Sequence, residues 1–246
     1  MIEIDLSDQV VAVTGAAGGI GAGIAERFAA AGASLVLQYR SSAPPTFAVP
    51  HLAVQLDLVD DDAPAALVDA AVSTFGRLDA VVNNAAVQTH ASLVDMTDAE
   101  WSEMIDTNTT ACHRITQAFA RHAIERGGGG SVVHISSIEG TQPAPGHGHY
   151  GISKAALLMH SKVAALELGQ HGIRVNAVSP GLIDRPGLAD DWPEGVSRWM
   201  EKVPLGRLGA ASDIGDACVY LCSPMAAWVS GSNLVVDGGI SARSTW

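Results

Sequence analysis

The chain is expected to fold as an α/β protein: a doubly wound parallel sheet of about seven strands with helices on both faces. Three features lead there. Short β-rich runs alternate with long amphipathic stretches through all 246 residues. The β-rich runs are almost continuously apolar, as strands covered on both faces are. A glycine cluster stands between the first run and the first helical stretch, where an open sheet builds its phosphate-binding turn.

Taken in order, strand Val10–Thr14 leads into helix Gly19–Ala31 and strand Ser34–Tyr39. The connector from Ser41 to Leu52 holds Pro44, Pro45 and Pro50, which remove donors and forbid a regular helix, so it should be irregular. Strand Leu52–Leu56, helix Ala63–Phe75 and strand Ala80–Asn83 follow. The periodicity then predicts one long helix over Asp98–Glu125, with Thr97 or Asp98 as its cap. The Gly127–Gly130 run reads as a tight turn into strand Val132–Ile135. Helix Tyr150–His171 should close at Gly172, followed by strand Arg174–Val178, helix Asp213–Cys222 and strand Leu234–Val236. Crossovers of this length make the βαβ units parallel and right-handed. Residues 184–205, with Pro186, Pro193, Pro204 and two tryptophans, read as an insertion over the sheet end and a candidate lid. No composition break or repeat divides the chain, so residues 1–246 read as one domain.

Composition narrows the function classes. Hydrophobic residues make up 48% and charged residues 16%, too apolar for a disordered chain and ample for a large core. The formal charge of −12 argues against nonspecific nucleic-acid binding, which depends on neutralising phosphates, but local donors can still hold a small anion. No apolar run reaches the ~18 residues of a membrane span. The opening MIEIDLSDQ has no basic region, so it is not expected to be a signal peptide. Three cysteines (Cys112, Cys218, Cys222) are too few for a disulfide framework, and the expected compartment is the cytoplasm. Cys218 and Cys222 read as small core residues, because no His or Asp completes a metal set.

Two groups of residues carry chemistry. In Thr14-Gly15-Ala16-Ala17-Gly18-Gly19-Ile20-Gly21, Gly15 permits the tight turn. Gly19 and Gly21 clear the way for a pyrophosphate against the helix N-terminus. Where an acidic residue would accept from a free ribose 2′-hydroxyl stands Tyr39, followed by Arg40, Ser41 and Ser42. A guanidinium there grips a 2′-phosphate, which favours NADP(H) over NAD(H); a solvated Arg40 would leave both open. Asp57 can accept from an adenine amino group with the Leu58 N–H donating to the ring, or simply cap a loop. Asn83-Asn84-Ala85-Ala86 ends a strand at the ligand-facing sheet edge. The second group is Tyr150 and Lys154, four apart and so on one helix face. A neighbouring ammonium stabilises a phenolate and should bring its pKa down from ~10 toward the working range. Ser136-Ser137 ends the strand before, and Asn108, inside the long helix, is placed to hold a water near the lysine.

With these residues in this order, the chain resembles the short-chain dehydrogenase/reductase family, of Rossmann-type fold. The resemblance rests on Thr14-Gly-x3-Gly-x-Gly21, Asn83-Asn84-Ala85-Ala86, Asn108, Ser137, Tyr150-x3-Lys154 and Pro180-Gly181, and covers nearly the whole chain. It implies that Tyr150 exchanges a proton with the substrate oxygen while Ser137 holds that oxygen. It implies that Lys154 lowers the tyrosine pKa and binds the nicotinamide ribose, and that Asn108 supports a water chain. Gly15, Gly19, Ile20, Gly21, Asn84, Ala85, Pro180, Gly181 and the Ile183 backbone would then bind cofactor, together with Tyr39, Arg40, Ser41, Asp57 and Leu58. The implied activity is an NAD(P)(H)-dependent interconversion of a small-molecule ketone and secondary alcohol, NADP(H) favoured, in the reducing direction. The long helices would pack across a homotetramer or homodimer. Ala86 replaces the family's usual glycine, and Arg185 stands where the family has a threonine, free to meet the nicotinamide amide, a phosphate or solvent. Glu139, Gln142, His147, Gln88 and His90 fall at the substrate positions. Trp192, Trp199 and Met200 could close over an apolar substrate or merely pack. A non-catalytic NADP(H)-sensing protein is the alternative, yet it would not need Ser137, Tyr150 and Lys154 together. A methyltransferase is disfavoured by the pyrophosphate-suited turn.

Overall fold

The computed structural model describes residues 4–242; residues 1–3, at the head of the amino-terminal stretch, and 243–246 lie outside the described residues. Seven strands form one sheet: β1 (Val10–Val13), β2 (Ser34–Tyr39), β3 (His51–Gln55), β4 (Ala80–Asn83), β5 (Gly130–Ile135), β6 (Ile173–Pro180) and β7 (Asn233–Val236). Their order is β3-β2-β1-β4-β5-β6-β7, and every neighbouring pair is parallel. The chain leaves β1 in one direction and returns at β4 on its other side. The chain therefore leaves the carboxyl ends of these neighbouring strands for different parts of the sheet, and a crevice opens where the loops can hold a ligand.

Two apolar layers explain why both faces of the sheet are hydrophobic. Helices α1 (Gly19–Ala30) and α8 (Ala211–Cys222) cover one face with Ile24, Phe28, Ile214 and Leu221. Helices α2 (Ala63–Phe75), α4 (Ala111–Glu125) and α5 (Gly148–Leu168) cover the other with Leu67, Ile115, Phe119 and Ala164. Gly23 lets α1 and α8 touch: a Cβ there would sit 2.4 Å from the Ala211 side chain.

The expected elements are present, with shifts of a residue or two at their ends. The segment between Tyr39 and His51 has no helix, as its prolines require. Thr97 is the cap of α3 (Asp98–Ile105): its hydroxyl accepts from Glu100 N, and Glu100 accepts from Thr97 N. Gly172 closes the helical stretch in the left-handed region at φ 72°. One expectation is corrected. The long helix over Asp98–Glu125 is broken at Asp106–Thr110 by a π-helical turn between α3 and α4. The extra residue in that turn swings Asn108 inward, where its amide is fully bonded. Residues 184–205 hold α6 (Leu188–Asp191) and α7 (Pro193–Met200).

Candidate active site

The glycine turn is built by hydrogen bonds that lock the ends of β1 and β4 together. Thr14 Oγ1 accepts from the Asn84 and Ala85 N–H groups at 2.9 and 3.0 Å. Asn84 Nδ2 donates to the Thr14 carbonyl at 2.9 Å. Gly15 turns at φ +64°, and a Cβ on Gly21 would lie 2.1 Å from the Gly15 carbonyl, so only glycines leave the cradle open. Gly18, the cap of α1, offers no side chain to the first-turn N–H groups. Those donors and the positive end of the helix suit a pyrophosphate. The cleft beside them measures about 400 Å³ and is lined by Gly15, Ile20, Gly21, Arg40, Ser41, Asp57, Leu58, Asn84 and Ala85, all expected cofactor residues. Its shape and donors fit a dinucleotide.

Arg40, Ser41, Asp57 and Leu58 line the cleft, with Arg40 exposed. Among the described residues Arg40 makes no ion pair. Tyr39 is half-buried at the end of β2 and is not part of the cleft wall. Its neighbour Gln38 is, and sequence reasoning missed it. Gln38 Oε1 accepts from Gly15 N at 2.9 Å and its Nε2 donates to Leu56 O at 2.7 Å, tying the turn to the end of β3. An amide within the apolar run Ser34–Tyr39 was the available signal. Ala86, Val87 and Thr107 complete the wall.

The reacting end lies along the same sheet edge. Ser137 follows β5, and Tyr150 and Lys154 lie on the first turns of α5; all three are buried. Ser136 Oγ donates to the Lys154 carbonyl at 2.8 Å, which fastens α5 to the end of β5. Ser137 Oγ accepts from Glu139 N at 3.1 Å, leaving its own proton free to point at the phenol or a ligand. The Lys154 ammonium is 5.5 Å from the Tyr150 ring centroid and donates to the Ile135 carbonyl at 2.9 Å. Gly181 and Ile183 follow β6. The bridge to Gly209 uses Leu182 O and Asp184 N, so no backbone bond among the described residues engages Ile183 N–H or C=O. Those groups suit a carboxamide.

Protonation differs from the expectation. Burial pushes the Tyr150 phenol up to about 12, countered in part by the Ser137 hydrogen bond and reinforced by the Glu139 charge. The same burial pushes Lys154 down to about 8. Desolvation outweighs ion pairing because the whole constellation is dry. At neutral pH the phenol therefore carries its proton.

Asn108 points inward, as expected, and its side-chain amide is engaged by neighbours. Its Oδ1 accepts from Val87 N at 2.8 Å, and its Nδ2 donates to Val87 O at 2.9 Å and Ser153 Oγ at 3.1 Å. The side chain clamps the loop after β4 to α5. Arg185 pairs with Asp191 at 2.8 Å within residues 184–205. Trp199 packs over Gly181, where a Cβ would meet it at 2.9 Å, and Trp192 packs over Gly195. Gln142 donates to Ser241 O, Gln88 is exposed, and Glu139 pairs with His147.

Comparison with known proteins agrees with this geometry. The family described as Enoyl-(Acyl carrier protein) reductase matches residues 15–241. A 3beta-hydroxysteroid dehydrogenase 1 from Eggerthella lenta is 34% identical, over 96% of this chain and 95% of that protein. An NADP-dependent (R)-specific alcohol dehydrogenase from Lentilactobacillus kefiri is 35% identical, over 97% of this chain and 98% of that protein. A solved dehydrogenase from Agrobacterium tumefaciens with bound NADP superposes with a TM-score of 0.88 at 33% identity, covering 99% of this chain and 100% of that one. The chain belongs to the short-chain dehydrogenase/reductase family of NAD(P)-dependent oxidoreductases.

Proposed function

We propose that the protein reduces a small-molecule ketone to a secondary alcohol, with NADP(H) as its cofactor. The observation that carries this reading is the buried Tyr150 beside Ser137, one helical turn from Lys154, on the sheet edge that holds the glycine cradle. When bound, the reduced nicotinamide supplies a hydride to the carbonyl carbon. Ser137 Oγ–H holds the carbonyl oxygen in line, and Tyr150 Oη gives that oxygen its proton as negative charge develops on it. Lys154 binds the ribose side and stabilises the phenolate left behind, while its bond to Ile135 O holds it in place. Asn108 keeps Val87 and α5 in register through its side-chain amide. The expected effect of Tyr150→Phe is a turnover drop of about 10²–10⁴-fold with NADPH affinity retained. Unchanged turnover would overturn the mechanism.

Further observations support the finer parts. Arg40 in the cleft lining, which makes no ion pair among the described residues, and the NADP-dependent and NADP-bound relatives favour NADP(H). Residues 184–205 stand over the end of β6 and act as the substrate lid of a one-domain enzyme. The α5 face bears Ile152, Met159, Val163 and Leu166, the last 85% exposed, which suits burial in a homo-oligomer. Among the described residues no helix is long and apolar enough to cross a membrane, and the three cysteines are free and buried, which suits the cytoplasm.

A further inference from the structure

Beside Tyr150 stands a hydrogen-bonded Glu139–His147 pair that the proton transfer does not require. Glu139 Oε2 lies 2.9 Å from His147 Nδ1, with both side chains about one-fifth to one-quarter exposed. The imidazole ring of His147 stands 6.1 Å from the Tyr150 ring, edge to face, and His90 stands 5.6 Å from His147 on the other side. The position is built. Ala91 N donates to Gly146 O at 2.9 Å, joining the loop after β4 to the loop before α5. Gly146, at φ +77°, has His90 where a Cβ would be, 2.0 Å from Nε2. Glu139 is anchored from its own backbone, whose N–H donates to Ser137 Oγ. The pair is thus held beside Tyr150 through the ring contact and beside Ser137 through the Glu139 backbone.

We propose that Glu139 and His147 form the specificity element of this site, selecting a neutral substrate with a hydroxyl on a carbon next to the reacting one, as in a polyol or sugar-type ketone. This rests on the ketone-reducing reading above. Among the described residues Glu139 Oε1 and His147 Nε2 have no hydrogen-bond partner. A carboxylate only accepts, whereas an imidazole held by a carboxylate on one nitrogen presents the other to a ligand. A neighbouring hydroxyl both donates and accepts, so it can satisfy either free atom. An apolar ketone would cover both atoms and leave them unpaired, and a site built to hydrogen-bond a hydroxyl rejects the analogue lacking it by up to ~10⁴-fold. The Glu139 charge also disfavours a carboxylate or phosphate at the same spot.

The test uses matched pairs of α-hydroxy ketones and their deoxy analogues, of several chain lengths and ring sizes, with NADPH and the full chain. The wild type should prefer the hydroxylated member of each reduced pair by at least about 10²-fold in kcat/KM. Glu139→Gln and His147→Leu should each shrink that ratio through a higher KM for the hydroxylated member, with NADPH affinity held. A ratio near one in the wild type, or one that the variants leave alone, overturns the specificity element and leaves ketone reduction standing. No turnover of any pair by protein that binds NADPH overturns both readings.

Discussion

Tyr150 is under opposing influences, and the outcome sets its role. Burial favours the neutral phenol, while the Ser137 hydroxyl favours the phenolate. With the phenol at about 12 and Lys154 at about 8, the pair stores its proton on the tyrosine at neutral pH, the state needed by a proton donor. Two other positions have consequences as sharp. Gly21→Ala would drive a methyl into the Gly15 carbonyl, so NADPH affinity should fall by tenfold or more along with a lower melting temperature; calorimetry reads both. Arg40→Asp should cost about 1–3 kcal/mol of NADPH binding and spare NADH, measured by fluorescence titration of each cofactor. Equal losses for both cofactors would remove Arg40 from the 2′-phosphate site. The identities of these residues were legible from spacing. Gln38 was not: an amide inside an apolar strand becomes meaningful only when β3 and the glycine turn are placed on either side of it.

Helices α4 and α5 meet the sheet through a row of imidazoles. His113 Nδ1 lies 3.2 Å from His160 Nε2, His160 Nδ1 lies 3.0 Å from His134 Nε2, and His134 Nδ1 lies 3.2 Å from Asn83 Nδ2. The Asn83 amide donates, so His134 carries its proton on Nε2 and must be neutral. Burial, with the His160 and Lys154 charges, pushes His134 down to about 3. In an unfolded chain it titrates near ~6.5. Between those values the unfolded state binds a proton that the folded state refuses, so its stability contribution is full above ~6.5 and is lost as pH falls. The loss should approach about 1.4 kcal/mol per pH unit, and His134→Gln should flatten the slope; urea unfolding from pH 7.5 to pH 4.5 measures it. The break between α3 and α4 belongs to the same level. The periodicity of Asp98–Glu125 is continuous, and only contact with Val87 and Ser153 explains why the helix widens at Asn108.

The assembled chain leaves one helix face uncovered. Ile152, Met159, Val163 and Leu166 recur at helical spacing on α5 and are all exposed. If copies of the chain bury that stripe, Met159→Glu combined with Leu166→Glu should lower the molar mass measured by light scattering while the fold persists. An unchanged mass would place the contact elsewhere.

Local chemistry was enough to read the parallel α/β architecture, the glycine turn and the proline-broken connector, and to single out Ser137, Tyr150 and Lys154 as candidates. Periodicity, backbone freedom and side-chain reach are properties of neighbours along the chain. The proton affinity of Tyr150, the clamp made by Asn108, the Glu139–His147 pair and the imidazole row depended on what distant segments bring to one place. Desolvation and hydrogen-bond partnership belong to the packed molecule, since both follow from which atoms replace water around a group.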